Sequence, residues 1–114
     1  MILYQTMVPL DPKTKKPFIA QNNAYKRYER DAGWFVKKTG EPIREAVNVK
    51  CVFYRSSARR VDLTNLLEAI DDILVKYKVL ADDDFKIIAG HDGSRVLIDR
   101  NNPRTEITIS RFGS

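Results

Sequence analysis

Two kinds of hydrophobic spacing alternate along the chain. Apolar side chains at every second position, Val47, Val49, Cys51 and Phe53, predict a strand with one buried face. Shorter apolar segments predict further strands over residues 2–9, 85–89, 96–99 and 106–110. The dipeptide Asp92-Gly93 between two of these is typical of hairpin turns because it tolerates positive φ angles. It therefore indicates a hairpin at this point of the chain.

Apolar spacings of three and four residues predict two amphipathic helices. The first covers residues 22–38, where one side collects the apolar residues Ala24, Tyr28, Ala32 and Phe35. Gly33 is unfavourable within it, since glycine costs about 1 kcal/mol relative to alanine in a helix. The second helix begins at Leu63, and its apolar positions are Leu63, Leu66, Leu67, Ile70, Leu74 and Tyr77.

The predicted elements follow the order β-α-β-α-β-β-β, which is typical of an α/β or α+β domain with a mixed β-sheet packed by two helices. The 114 residues, with a mass of 13.2 kDa, suffice for one hydrophobic core, so we expect a single domain over residues 1–114. No apolar run approaches the roughly 18 residues of a membrane helix, and no basic leader precedes the first strand. We therefore expect a cytoplasmic protein without a membrane partner.

Cysteine and histidine each occur once, at Cys51 and His91, which narrows the possible chemistry. A single cysteine excludes an internal disulfide, and the two residues alone are a poor basis for a zinc site. We interpret Cys51 as a core residue because it belongs to the buried alternation of its strand. His91 is interpreted as a turn residue rather than a catalytic base.

The formal net charge of +5 is divided unevenly between the two halves of the chain. Residues 1–60 carry 13 Lys and Arg against 5 Asp and Glu, whereas residues 61–114 carry 7 against 10. The basic half predicts a polyanionic partner, and the acidic half is compatible with a bound cation. Candidate phosphate contacts are Lys15 and Lys16 in a basic loop, Lys26, Arg30 and Lys37 together on the face of the first helix opposite its apolar side, and Arg59 and Arg60 before the second helix. The alternative is that these basic faces are merely solvated.

The acidic residues concentrate on and after the second helix. Asp62 stands at its first turn, Asn65, Glu68 and Asp72 project from the side opposite the leucines, and residues 82–84 follow as three aspartates. In one interpretation Asp62 caps the helix, Glu68, Asp71 and Asp72 form a solvated helix face, and residues 82–84 form a polar turn. In the other, carboxylate oxygens bind Mg²⁺ or Mn²⁺, and Arg59 and Arg60 hold a phosphodiester beside the ion, which is the chemistry of a nuclease.

The pattern Arg-Arg-x-Asp-Leu-x-Asn-Leu at residues 59–66, with Asp72 on the following helix and Asp82-Asp83 ten residues later, resembles the RusA family of Holliday junction resolvases, which are common in phages and prophages. The resemblance covers residues 47–110 well and the preceding part loosely. It implies a RusA-like homodimer that binds four-way DNA junctions and, with Mg²⁺, nicks two strands of like polarity in recombination and repair. By position, Asp62 and Asp83 match the family's first and last essential aspartates.

The resemblance is broken at two positions of the helix. Thr64 stands where the family motif has its second aspartate, so one charged ligand is missing. Glu68 stands where some relatives have lysine. Our hypothesis is that Glu68 or Asp72 replaces the lost carboxylate, so that the predicted metal ligands are Asp62, Asp83, Glu68 and Asp72.

Chain length limits how Asp62 and Asp83 can meet. An unbroken helix from Leu63 to Lys78 would be about 24 Å long, whereas the five residues to Asp83 reach only about 16 Å. A helix that ended near Val75 would be about 20 Å long and leave a return of about 26 Å, which permits contact. The alternative is that Asp83 joins Asp62 of a second subunit.

Two further functions are compatible with the sequence. Thr64 suggests a module that binds branched DNA with weak or lost catalysis. Outside nucleic acids, the chain would be a small metal-binding scaffold whose basic half contacts a protein.

Overall fold

A computed structural model describes residues 1–14, 23–37 and 40–113, which form five strands and two helices. In chain order the elements are β1 (Ile2–Val8), α1 (Asn23–Gly33), β2 (Val47–Arg55), α2 (Leu63–Lys76), β3 (Ile88–Gly90), β4 (Arg95–Ile98) and β5 (Arg104–Arg111). This confirms the predicted order and the mixed α+β class.

The five strands form one mixed sheet with β5 and β2 at its centre. β5 pairs antiparallel with both β1 and β2, and the other edge of β2 pairs parallel with β3 and β4. Two parallel neighbours need a crossover, which α2 provides between β2 and β3. The start of α2 therefore lies at the end where β2 finishes.

The hairpin predicted at Asp92-Gly93 is wrong. A turn does form there, with Gly93 at φ +89°, but β3 and β4 both run parallel to β2 along the same edge. Side chains bridge the interruption, because Asn48 Nδ2 donates to the carbonyl of Asp92 at 3.1 Å and Asn48 Oδ1 accepts from its N–H at 2.7 Å. Ser94 Oγ likewise accepts from the Cys51 N–H at 3.0 Å. These bonds replace those that a continuous edge strand would make.

One face of the sheet and the apolar sides of both helices form the core. The alternation predicted for β2 is confirmed, since all four of its positions, Val47, Val49, Cys51 and Phe53, are fully buried. Cys51 is one of them, and burial raises the pKa of its thiol well above its usual value. The thiol of Cys51 is therefore held in its neutral, unreactive form. The helices contribute the buried side chains Tyr25, Tyr28, Ala32, Leu66, Leu67, Ile70, Ile73 and Leu74 to the core.

Helix α1 is shorter than the predicted segment 22–38, because it ends at Gly33. A Cβ at residue 33 would overlap the ring of Tyr77, so only glycine permits this close approach to the end of α2. Ala24 and Phe35, both predicted to be buried, are exposed. The early end of the helix also removes Lys37 from its surface.

Helix α2 ends in a Schellman motif that turns the chain back. The N–H of Val79 donates to the carbonyl of Leu74 at 2.9 Å, and that of Lys78 to Val75 at 3.1 Å. Lys78 takes a left-handed conformation, φ 67°, at the position that glycine usually occupies. The helix therefore ends one residue after the Val75 that the length argument requires, and the return towards Asp83 is long enough.

We expect Lys78→Gly to stabilise the protein by about 1 kcal/mol, because the left-handed conformation costs about 1–2 kcal/mol for a residue with a Cβ and glycine recovers part of it. Urea unfolding measures the difference. Lys78→Ala is the matched control, since alanine keeps the Cβ and should change stability by less than about 0.5 kcal/mol. Equal stability of the glycine and alanine variants would contradict the assignment of strain to this residue.

Candidate functional site

Asp62 stands at the junction between β2 and α2, as the N-cap residue of the helix. Its backbone is extended, and its carbonyl accepts from the N–H groups of Asn65 at 3.1 Å and Leu66 at 3.3 Å. Its carboxylate makes no capping hydrogen bond and is exposed. The interpretation of Asp62 as a side-chain cap is therefore wrong. Its carboxylate stands at the positive end of α2 and is accessible from solvent.

The segment after β1 is attached to this junction. The carboxylate of Asp11 accepts from the N–H of Ser56 at 3.1 Å and from its hydroxyl at 2.6 Å. Thr14 Oγ1 donates to the carbonyl of Asn65 at 3.2 Å. The exposed Lys13 is thus held against the first turn of α2. The predicted contacts Lys15 and Lys16 lie outside the described residues.

Exposed arginines surround the start of α2. Arg59 and Arg60 are both exposed, and Arg55 Nη1 donates to the carbonyl of Arg59, which holds this segment. Arg100 adds a third exposed guanidinium, since its Nη1 donates to the carbonyl of Ser56 at 3.3 Å. We refer to Arg59, Arg60 and Arg100 as the arginine cluster. It places positive charge on the connection between β2 and α2, where Arg59 and Arg60 precede Asp62 by three and two residues.

The predicted basic face of the first helix is only partly formed. Lys26 and Arg30 are exposed on α1, and Arg30 Nε lies 3.3 Å from the carboxylate of Asp31. Lys37 lies beyond the end of the helix, where its Nζ is 4.3 Å from the ring centroid of Trp34. The prediction that Lys37 shares their helix face is wrong because α1 ends at Gly33.

Asp71 differs from the other acidic residues of α2, Glu68 and Asp72, because it is only 9% exposed. Its two carboxylate oxygens lie 3.1 Å and 2.9 Å from His91 Nε2. The expectation that Asp71 is solvated is therefore wrong. His91 is the first residue of the turn, as predicted, because its carbonyl accepts from the Ser94 N–H at 3.1 Å. Its side chain, however, joins the end of β3 to the middle of α2. Asn65, Glu68 and Asp72 are exposed, as expected.

The charges of Asp83 and Glu68 both act on the carboxyl group of Asp71. Burial raises the pKa of Asp71, the hydrogen bond and charge of His91 lower it, and the charges of Asp83 and Glu68 raise it again. The bond to Asp71 raises the pKa of His91, and Asp92 adds to the effect. The chain returning from α2 therefore brings Asp83 within electrostatic reach of the middle of the helix.

A second contact fixes this return. Ile43 N–H donates to the carbonyl of Val79 at 2.9 Å, and the N–H of Ala81 donates to the carbonyl of Ile43 at 3.0 Å. Just beyond, the Asp82 carboxylate accepts from the N–H of Asp83 at 2.7 Å. The aspartates that follow α2 are thus carried by a segment with defined backbone bonds.

The charge of Asp72 acts on a different group. After burial and the charge of Glu29, the charge of Asp72 is the next cause that raises the pKa of Tyr25 on α1. The charges of Glu68 and Asp83 instead raise the pKa of Asp71.

The predicted ligands are all carboxylates, the oxygen donors that Mg²⁺ and Mn²⁺ prefer, and Asp62, Glu68, Asp72 and Asp83 are exposed. Over residues 1–14, 23–37 and 40–113, however, no group of three or more His, Cys, Asp or Glu is arranged to hold a metal ion. The donor chemistry fits a hard divalent cation, but the described part of one chain does not assemble a complete set of ligands. The four-residue ligand set stays a prediction.

Sequence reasoning missed Arg100 and the pair formed by Asp71 and His91. Arg100 reaches the site because β4 runs parallel to β2, so that Asp99 N–H donates to the carbonyl of Arg55 at 2.9 Å. His91 is twenty positions from Asp71, and no spacing pattern connects them. The position of Arg100 and the pair of Asp71 and His91 both depend on β3 and β4 lying parallel to β2, an arrangement that the predicted hairpin excluded.

Comparison with known proteins bears on the whole chain. The protein-family model described as endodeoxyribonuclease RusA matches residues 11–110. The match therefore leaves out β1 and the last residue of β5 and includes every other helix and strand. No curated protein matches this chain. Among the described residues, no helix is long and apolar enough to cross a membrane.

His91 should make stability depend on pH. Its pKa is raised in the folded state, so its contribution is fully present below the unfolded pKa of about 6.5 and is lost as the pH rises through the folded value. We expect His91→Gln, which keeps a donor but no charge, to lower the free energy of unfolding by about 1–3 kcal/mol near pH 6 and by less above that window.

Urea unfolding between pH 6 and pH 9, without divalent cations, measures this difference. The charged groups that face the pair are Asp92 beside His91 and Asp83 and Glu68 beside Asp71. Glu45→Gln is a control in an exposed ion pair with Arg111 and should leave the pH dependence unchanged. Parallel pH curves for wild type and His91→Gln would contradict the proposed contribution.

Proposed function

Because this chain belongs to the RusA family of endodeoxyribonucleases, we propose that it is a structure-specific endonuclease that resolves Holliday junctions by paired symmetric nicks in DNA recombination and repair. The observation that carries the proposal is the exposed Asp62 carboxylate at the start of α2, beside the arginine cluster. This is the position of the first essential aspartate in the family pattern. A phosphodiester held by the arginines would therefore lie next to the carboxylate.

DNA binding is assigned to the positive charge around the start of α2. Guanidinium groups bind phosphates through charge-assisted, often paired, hydrogen bonds. Arg59, Arg60 and Arg100 are supported in this role by their common location, and Lys13 by the bonds that hold residues 11–14. Lys26 and Arg30 on α1 are proposed as additional phosphate contacts. Phosphate contacts of this kind position the protein but do not select a sequence.

We assign a divalent cation, Mg²⁺ or Mn²⁺, to the carboxylates Asp62 and Asp83. When bound, such a cation acts as a Lewis acid at the phosphodiester and activates water. We favour Glu68 over Asp72 as the substitute for the aspartate missing at Thr64, because the charges of Glu68 and Asp83 both act on Asp71 while that of Asp72 acts on Tyr25. The chain itself contributes carboxylates as ligands and arginines that orient the phosphate.

A homodimer is the assembly that suits this activity. A four-way junction is cut at two symmetric positions, and a two-fold dimer presents one site to each. A second subunit would also supply the carboxylates that one chain does not assemble among its described residues, with Asp83 of one subunit beside Asp62 of the other. Sites within one chain and sites shared between subunits make different predictions for mixed variants.

A second candidate function is a branched-DNA-binding module with weak or lost catalysis. It is favoured by Thr64, an exposed residue with a neutral hydroxyl where the family motif has a carboxylate. In that case wild-type protein binds a labelled four-way junction but does not cleave it when Mg²⁺ is added.

We expect Asp62→Asn and Asp83→Asn each to lower the rate of Mg²⁺-dependent junction cleavage by about 10²- to 10³-fold, the usual effect of removing one charge-stabilising group from an active site. Binding of the junction without divalent cations should persist, because the arginine cluster is intact. Gel assays with a labelled four-way junction measure both quantities. Glu45→Gln is the control and should cleave at the wild-type rate.

The same assay separates the alternatives. Recovery of cleavage in a mixture of the two asparagine variants indicates a site shared between subunits, and no recovery indicates sites within one chain. Full activity of both Glu68→Gln and Asp72→Asn would rule out either residue as the replacement for the missing aspartate. Wild-type cleavage that does not depend on Asp62 or Asp83 would contradict the proposed site.

Salt dependence tests the DNA interface. We expect Arg59→Ala and Arg60→Ala each to weaken junction binding and to reduce the slope of log K against log salt by about 1, because each loses about one phosphate contact. Lys78→Ala is a charge-matched control at the opposite end of α2 and should leave the slope unchanged. Binding constants measured between about 50 and 200 mM salt decide the matter, and unaltered slopes in both arginine variants would count against this interface.

A further inference from the structure

Phe85 is the most exposed large hydrophobic side chain among the described residues, with 79% of its surface accessible. Isolated apolar residues on a protein surface are common and need no special explanation. Phe85 differs by its location, because it is two positions after Asp83 in the segment that returns towards α2. An unburied aromatic ring therefore stands two positions along the chain from a carboxylate assigned to catalysis.

The backbone that carries Phe85 is firmly held. Asp84 bonds three times across the turn: its Oδ1 accepts from the Lys86 N–H at 3.0 Å, and its carbonyl accepts from Ile87 at 3.0 Å and Ile88 at 2.8 Å. Ile87 and Ile88 are part of the core, and the carbonyl of Ile87 accepts from the Val47 N–H on β2 at 2.8 Å. The ring is thus presented on a fixed turn, and little backbone freedom remains to be lost on binding.

Exposure on a fixed base is a favourable arrangement for stacking on a nucleobase. Aromatic side chains stack on bases of any sequence, and bases that are already unpaired cost least to expose. The neighbouring Lys86 is exposed and supplies a positive charge next to the three aspartates. A branched DNA whose phosphate lies at Asp83 would bring its bases near this turn.

We propose that Phe85 stacks on an unpaired or distorted base at the branch point and contributes to the preference for branched over linear DNA. This assignment rests on the proposed function, because it requires that branched DNA occupies the site containing Asp83. Phe85 touches the substrate but takes no part in the transfer of protons or the breaking of bonds.

Binding by variants of the full chain to a four-way junction, compared with linear duplex of the same arm sequence, tests the proposal. We expect Phe85→Ala to weaken junction binding by about 5- to 150-fold, the range typical of a single stacked base, and to change duplex binding far less. Phe85→Trp should keep the wild-type preference for the junction, because tryptophan can also stack on a base. Phe85→Leu, which is apolar but not aromatic, should not.

A spectroscopic arm detects stacking directly and does not depend on cleavage. In the variant Phe85→Trp/Trp34→Phe the only tryptophan is at position 85, and we expect its fluorescence to be quenched by the junction and not by the duplex. The control Phe112→Ala removes another exposed aromatic, 47% accessible, that follows β5. Its junction preference should equal that of wild type.

The outcomes separate the two levels of inference. If wild-type protein binds the junction but Phe85→Ala binds it equally well, the stacking role is overturned and the proposed function stands. If wild type shows no preference for the junction, both are overturned. If Phe85→Ala weakens binding only by converting a dimer into monomers in sedimentation, Phe85 covers a subunit surface and the stacking role is again overturned.

Discussion

The parallel pairing of β2 with β3 and β4 is the constraint on which the rest of the structure depends. Parallel neighbours cannot be joined by a short turn, so the chain must cross the sheet through α2 before it returns. The crossover sets Asp62 where β2 ends and carries the acidic segment back along the helix. It also aligns β4 with the end of β2, which brings Arg100 to Ser56. One pairing thus determines both the positive and the negative parts of the candidate site.

The two signs of charge have different structural supports. Two bonds to backbone carbonyls support the arginine cluster, since Arg100 donates to Ser56 and Arg55 donates to Arg59. The side chains of the cluster itself are exposed. The negative charges of Asp83 and Glu68 lie near the buried Asp71, which is a costly arrangement because like charges repel. His91 offsets part of that cost from inside the fold. A divalent cation or a cationic partner group would offset the remainder from outside.

Local sequence patterns were sufficient where an element depends on its own periodicity. The alternation of β2 and the apolar spacing of α2 predicted both elements nearly to their ends, and the family pattern singled out Asp62 at the start of α2. Prediction failed where an element depends on contacts with residues far away in the chain. The ring of Tyr77 packs against Gly33, where α1 ends, and the pairing with β2 turns an apparent hairpin at Asp92 into a bridged interruption. The contact of Asp71 with His91 joins residues that no local pattern relates.

The departures from the family pattern at Thr64 and Glu68 are best understood together. Residues four apart on a helix share a face and are separated by about 6 Å along the axis. Loss of a carboxylate at residue 64 and its appearance at residue 68 therefore keep one acidic group on that face and move it one turn along α2. The direction of the move is towards Asp71, where Asp83 also acts. Negative charge thus shifts from the first turn of α2, next to the arginine cluster, towards the returning segment that carries Asp83. In the proposed function, Glu68 and Asp83 would then hold the cation from α2 and from the returning segment, and the arginine cluster would orient the phosphate.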